Sequence, residues 1–270
     1  LIKYMLSIAA ANNRRNILES EGEHIPPFLM ASISSSCNLY CKGCYARASS
    51  SCGDNLKDTE ISEERWEQLF NEARELGISF ILLLGGEPLM RRGIIEKASS
   101  VKEIVFPIFT NGILLDEDYI NLIDKNRNLV PIISIEGNEY QTDSRRGKNT
   151  YNLIMTAVDN LNKRKILFGC SITVTTENIK TVTNEGFIQD LYNKGTRVLV
   201  FVEYTAVIKS TEKLAPTKKE RLLLEKKLEE LRQAFESMVF LSFPGDEKYM
   251  GGCLAAGRGF FHINANGSAE

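Results

Sequence analysis

The 270 residues are 43% hydrophobic and 25% charged, with 33 Lys and Arg against 35 Asp and Glu. That is the make-up of a globular chain, and it excludes a disordered or collagen-like one. A formal charge of −2 provides no field to gather nucleic acid or an anionic membrane, so neither partner is expected. No run approaches the roughly 18 consecutive apolar residues of a membrane-spanning helix.

In chain order, the opening LIKYMLSIAAANNRR has a brief apolar stretch followed by arginines and reads as an amphipathic helix rather than a secretion signal. Residues 1–27 are thus expected to form a helical extension. From residue 28, strand-length runs rich in β-branched residues alternate with segments of helical period. Strands are expected at 28–34, 79–84, 103–109, 129–135, 166–175 and 197–204. Helices are expected at 62–77, 116–125, 151–164 and 183–195. In the first of these, Ser62 lies near the start, Trp66, Leu69, Phe70 and Ala73 share a face, and Gly77 supplies the stop. Residues 218–238 combine closely spaced opposite charges with a leucine stripe and predict a final helix covering the sheet.

This βα alternation, with right-handed crossovers, gives a parallel sheet that curls one way, filling one domain over 28–243. After Pro244 and Gly245 the sequence turns glycine-rich, and FFHINANG reads as a hairpin, so 244–270 is expected to open a second, small module. Starting at Leu1 rather than Met and stopping at Glu270, the chain reads as a fragment of a longer protein.

Cysteines occur at 37, 41, 44, 52, 170 and 253. A chain with this much apolar residue for a core needs no disulfide framework, so reduced thiols in a cytoplasm are expected. Cys37, Cys41 and Cys44 form C-x3-C-x2-C just after the first strand, at the strand end where barrel active sites are built. A structural zinc ion would need a fourth ligand, for which Cys52 is the nearby candidate. An iron–sulfur cluster on three cysteines instead leaves one iron open for a substrate or cofactor. Further along, the second strand leads into Gly85-Gly86-Glu87-Pro88 and the third into Thr110-Asn111-Gly112. The fourth ends in Ser134-Ile135-Glu136, with Ser134 and Glu136 on one side. Inward polar groups on an apolar strand are costly unless a ligand or water satisfies them. Ser171 and Thr173 face one way on the fifth strand, and Val202 and Tyr204 on the sixth. His262 reads as structural, and His24 has no partner in sequence.

The run CNLYCKGC followed by Tyr45 resembles the cluster motif of the radical S-adenosylmethionine (SAM) enzymes, and GGEP resembles that family's second element. Covering about residues 28–204, the resemblance implies an α/β fold, a partial (β/α)6 TIM-like barrel. It implies a [4Fe-4S] cluster on Cys37, Cys41 and Cys44, SAM bound at its open iron, and reductive cleavage to a 5′-deoxyadenosyl radical that abstracts hydrogen. Gly85, Gly86, Glu87 and Pro88 are then expected to receive the SAM amino group. Glycines let carbonyls approach an ammonium, the carboxylate adds charge and proline fixes the turn. By the same resemblance Thr110 and Asn111 position the ligand, and Ser134 and Glu136 contact the SAM carboxylate and ribose. Arg146, chosen over Arg145, pairs with that carboxylate, and Thr173 and Tyr204 line the cofactor.

Many members carry an aromatic residue before the third cysteine, where this chain has Gly43, so adenine packing falls to another ring such as Tyr45 or Tyr40. Cys253 and Gly257 resemble the start of a SPASM or twitch module, whose β-hairpin leads to an auxiliary iron–sulfur cluster in a longer protein. The partners implied are an electron donor such as flavodoxin or ferredoxin and a substrate that is a peptide, with a tetrapyrrole precursor as the alternative. A non-catalytic metal-binding scaffold is the contrasting class, and it gains nothing from GGEP or the inward Ser134 and Glu136.

Overall fold

The computed structural model describes residues 2–53, 55–56 and 60–270; Leu1, where the chain begins, lies outside them. Helix α1 (Ile2–Ser20) precedes a sheet of eight strands among the described residues. These are β1 (Phe28–Ser34), β2 (Phe80–Gly85), β3 (Phe106–Thr110), β4 (Leu129–Ile135), β5 (Gly169–Val174), β6 (Val198–Glu203), β7 (Val239–Phe243) and β8 (Phe260–Ile263). Their order is β7-β6-β5-β4-β3-β2-β1-β8, and every neighbouring pair is parallel. All six strands expected from the sequence form, and β7 and β8 add one at each edge.

The intervening helices are α2 (Tyr45–Ala48), α3 (Glu63–Glu75), α4 (Arg92–Ser100), α5 (Glu117–Lys125), α6 (Glu139–Arg146) and α7 (Thr150–Lys163). Beyond them come α8 (Ile179–Val182), α9 (Glu185–Asn193) and α10 (Lys218–Ala234). The helix expected over 183–195 forms as α9, started by the Asn184 side chain, which accepts from Gly186 N and Phe187 N, and the short α8 precedes it. Arg145 and Arg146 close α6, which a reciprocal Asn138–Gln141 capping box initiates. The last helix stops at Ala234, four residues short of its predicted end, and leaves room for β7.

Alternation along the strands separates two environments. Leu29, Ala31 and Ile33 of β1 pack outward into a core with Trp66 and Phe70 of α3, while Leu199 and Phe201 of β6 pack with Leu224 and Leu228 of α10. The alternate positions, among them Met30, Ser32, Ser134, Ser171 and Thr173, therefore face the barrel interior. On β7, Phe240 and Ser242 are buried against the helical layer, and Val239, Leu241 and Phe243 stand half-exposed on the inner side. The sheet curls until its edges approach: ring centroids of Phe243 on β7 and Phe260 on β8 lie 6.4 Å apart, and Phe260 stacks on Phe28 at 5.2 Å.

The expected hairpin is present, and its first arm is part of the barrel sheet. Its first arm, β8, pairs in parallel with β1, from Phe28↔Phe260 to Ala31↔Ile263. The return arm folds back antiparallel, with His262 N donating to Glu270 O at 3.0 Å and Glu270 N to His262 O at 2.8 Å. β8 thus extends the barrel sheet instead of starting a sheet of its own.

Candidate active site

The loop that follows β1 carries Cys37, Cys41 and Cys44 and is held from three sides. Arg47, from α2, donates to the Cys37 carbonyl at 3.2 Å and to the Leu39 carbonyl at 3.3 and 3.2 Å, its guanidinium lying 3.8 Å from the centre of the Tyr40 ring. Lys42 N donates to the Arg145 carbonyl at 2.8 Å, tying the loop to the end of α6. Leu39 N donates to Cys37 Sγ at 3.4 Å. Burial pushes the Cys37 thiol up to about 11, with the Leu39 N–H opposing it and Glu87, Cys41 and Cys52 adding repulsion. Cys41 is also raised, again chiefly by burial, against the pull of the Arg146 and Arg145 guanidiniums.

Glu87 is 1% exposed and ties the ends of β2 and β3 together. One oxygen accepts from Thr110 Oγ1 at 2.6 Å and Leu89 N at 3.1 Å, and the other from Asn111 N at 2.8 Å. Burial raises its pKa and these donors work the other way. Asn111 reaches on, its Nδ2 donating to Asn38 Oδ1 in the cysteine loop at 2.7 Å. Thr110, Asn111 and Glu87 thus brace one another and the loop. Gly85, at φ 137°, and Gly86 are fixed by close approach: a Cβ on Gly85 would meet the Ser34 carbonyl oxygen at 2.3 Å, and one on Gly86 the Ser36 carbonyl oxygen at 2.1 Å.

Past β4, Glu136 is 1% exposed and receives two arginines. Arg145 Nη1 and Arg146 Nη2 each donate to Glu136 Oε1 at 2.5 Å, and Arg146 Nε does so at 2.8 Å. Glu136 Oε2 and Arg145 Nε are buried with no hydrogen-bond partner. Sequence reasoning singled out Arg146 and missed that Arg145 shares its carboxylate; the adjacent RR pair was the available signal. Ser134 Oγ lies 3.0 Å from Ser171 Oγ across the β4–β5 pair, so both inward hydroxyls have a partner.

Tyr40 and Tyr45 are exposed, whereas Tyr204 is 5% exposed and abuts Gly43, at φ 67°, where an added Cβ would lie 2.6 Å from the Tyr204 hydroxyl oxygen. The ring from the end of β6 therefore occupies the space beside the third cysteine that a side chain at 43 would need. Cys253 is exposed in the turn before β8, and Cys170 is buried on the helical side of β5.

His262 was read as structural, and the structure turns it to the barrel interior with Nε2 2.7 Å from Ser32 Oγ. Burial lowers its pKa. As pH falls below the ordinary histidine value of about 6.5, the unfolded chain takes up a proton that folded His262 resists, so stability falls. His262→Gln is expected to lessen that loss between about pH 7 and 5 in urea unfolding. The chain's other histidine, His24, is shifted upward beside Glu19 and is common to both proteins, so it cancels in the comparison.

The donor chemistry fits the cofactors that the motifs imply. Half-buried thiols whose pKa values are raised, as at Cys37 and Cys41, are held as thiolates by a cationic metal centre. Among the described residues no three Cys, His, Asp or Glu side chains close on a single ion-sized point. The buried, unpartnered Glu136 Oε2 and Arg145 Nε are an acceptor and a donor with which hydroxyls and a carboxylate of a bound ligand would pair.

A model of the Radical SAM superfamily matches residues 31–186, and the chain belongs to this superfamily of enzymes. The Fe-coproporphyrin III synthase of Methanosarcina barkeri is 27% identical over 159 residues, 58% of this chain and 39% of that protein. The sporulation killing factor maturation protein SkfB of Bacillus subtilis is 25% identical over 193 residues, 70% and 45% of the two chains. A serine-type anaerobic sulfatase-maturating enzyme of Klebsiella aerogenes is 27% identical over 191 residues, 64% and 46%. The chain thus spans less than half the length of these relatives. Among solved structures, Streptococcus suis SuiB bound to SAM superposes with a TM-score of 0.76 at 16% identity, over 94% of this chain and 62% of SuiB. SuiB bound to its precursor peptide SuiA gives 0.71 at 17% identity, over 96% and 62%. At these identities the likeness to solved structures is one of fold. No helix among the described residues is long and apolar enough to cross a membrane.

Proposed function

We propose that this chain is the SAM-cleaving barrel of an enzyme that modifies a peptide. The observation that carries the reading is the three-thiol loop standing against two buried polar atoms without partners, Glu136 Oε2 and Arg145 Nε. When bound, the [4Fe-4S] cluster supplies the electron that cleaves SAM, releasing a 5′-deoxyadenosyl radical for hydrogen abstraction. Cys37, Cys41 and Cys44 hold the cluster. Backbone carbonyls at Gly85 and Gly86 take the SAM ammonium, with Glu87 behind them adding negative charge and Pro88 fixing the turn. Thr110 and Asn111 keep that carboxylate in place. Glu136 accepts the ribose hydroxyls, Arg146 holds the SAM carboxylate, and Ser134 and Thr173 line the same wall.

Tyr204 packs on the adenine in place of a ring at 43, and Tyr45 covers the loop's outer side. An aromatic contact of this kind is worth about 0.5–1.5 kcal/mol beyond its burial. Tyr204→Ala is therefore expected to weaken SAM binding about tenfold and Tyr204→Phe to leave it near wild type, read by equilibrium dialysis. Equal affinity in all three proteins would move the adenine contact elsewhere.

The peptide reading draws support from the relatives: SkfB and the sulfatase-maturating enzyme are maturation proteins, and SuiB takes a precursor peptide. Likeness to the Fe-coproporphyrin III synthase favours a tetrapyrrole precursor as the second reading. Residues 244–270 open an auxiliary-cluster module in which Cys253 is a ligand, and flavodoxin or ferredoxin donates the electron in a cytoplasm. The test is anaerobic reconstitution, expected to give about four irons per chain and, with dithionite, 5′-deoxyadenosine from SAM. Release of 5′-deoxyadenosine should rise with a small precursor peptide, sought among the genes beside this one, and not with a tetrapyrrole precursor. One zinc per chain and no cleavage would sink the reading in favour of a scaffold. A longer form of the protein holding no more iron than this chain would remove Cys253 from the ligands.

A further inference from the structure

The three residues that lead from β1 into the cysteine loop are bound at nearly every backbone atom. The Ser34 carbonyl accepts from Gly86 N at 2.7 Å, the Ser35 carbonyl from Gly53 N at 2.9 Å, and the Ser36 carbonyl from Glu87 N at 2.7 Å. Ser36 N donates to Ser34 Oγ at 3.1 Å. The remaining donors of this run at Ser35 go to one side chain: Ser35 N and Ser35 Oγ donate to Glu60 Oε1 at 2.6 and 2.8 Å. The Glu60 side chain is 8% exposed and its other oxygen is held by Arg91 Nη1. Arg91 is itself seated by the Ile33 carbonyl at 3.4 Å and the Ile61 carbonyl at 3.2 Å.

We infer that Glu60, anchored by Arg91, is a positioning residue for Cys37, two residues beyond Ser35. A pair this deep adds little net stability, because desolvating both charges offsets most of their attraction. What it does supply is a fixed acceptor at the last peptide but one before the cysteine. A cluster ligand must be held to within a fraction of an ångström to bind with its partners, and that precision comes from the hydrogen-bonded residues behind it. The sequence shows only an unremarked Glu and Arg 31 residues apart. This inference rests on the assignment of Cys37 as a cluster ligand.

Two double variants separate the acceptor from the charge. Glu60→Gln with Arg91→Met keeps an oxygen for the Ser35 N–H, Glu60→Leu with Arg91→Met does not, and neither leaves a lone buried charge. After identical anaerobic reconstitution, the Gln/Met protein is expected to hold wild-type iron and the Leu/Met protein less than half. A ferrous chelator should strip the Leu/Met protein about tenfold faster, the factor for one lost hydrogen bond to a charged group. The EPR signal of the reduced cluster should change in Leu/Met alone. Wild-type iron and stripping rate in Leu/Met would overturn the inference, as would equal losses in Gln/Met and Leu/Met. Should the Leu/Met chain fail to fold, Ser35→Ala, which removes only the hydroxyl donor, decides: faster stripping supports the inference and an unchanged rate overturns it. A wild-type chain that takes up no cluster overturns the ligand assignment itself, and this inference with it.

Discussion

Cys41→Ala is expected to abolish SAM cleavage and to reduce reconstituted iron from about four per chain to near zero. Cys41, in the cysteine loop, stands half-buried beside the arginine pair, and the Arg146 and Arg145 guanidiniums draw its thiol toward the thiolate against the effect of burial. Alanine there removes the proposed cluster ligand and leaves two cations facing an apolar methyl. Cys170→Ala is the control, because that thiol lies on the helical side of β5, pushed up to about 12 by burial and bonded to Thr196. Cys52→Ser separates cluster from zinc: a cluster on three cysteines keeps its iron, whereas a four-ligand zinc site would lose its metal. Iron analysis and chromatographic assay of 5′-deoxyadenosine read both outcomes. Retained cleavage in Cys41→Ala would end the assignment.

Glu136→Ala should be the most destabilising single change at the site. Arg146 is 9% and Arg145 16% exposed, so loss of their common carboxylate leaves two guanidiniums buried without a counter-charge. Breaking one partner of a buried pair costs about 3–5 kcal/mol, a large part of a total stability of about 5–15 kcal/mol. For a chain of this size that lowers Tm by roughly 10 °C or more. Glu136→Gln keeps an acceptor for the same N–H groups and is expected to lose less. Differential scanning calorimetry of the cluster-free proteins measures both, and equal Tm values for the wild type and Glu136→Ala would show that the arginines find water instead.

Local pattern carried much of this structure. Strands β1 to β6 were legible because their inner and outer faces are both enclosed, which leaves continuous β-branched runs such as Ile132 and Ile133. β7 was not, since Val239, Leu241 and Phe243 stand half-exposed on the inner side of an edge strand, and the run merges with the end of a charged helix. The cysteines, GGEP, Ser134 and Glu136 were visible as types at strand ends. Their division of labour was not. That Glu87 ties two strands, that Arg145 joins Arg146 on one oxygen, and that Tyr204 crosses to Gly43 are contacts between residues 9 to 161 positions apart, fixed only by the curl of the sheet.

The two glycines of GGEP have an implication for tracing ancestry. Any side chain at 85 or 86 would strike the backbone carbonyl of Ser34 or Ser36 before it met a ligand. Their absence of side chains is therefore enforced by the neighbouring strand's own exit path, and it would be retained in a descendant that had ceased to perform catalysis. Erosion of function should instead register first at positions with no such internal duty, among which Cys44 is informative. A lineage that retains the glycine pair but has exchanged that cysteine would be a candidate for repurposing of the barrel.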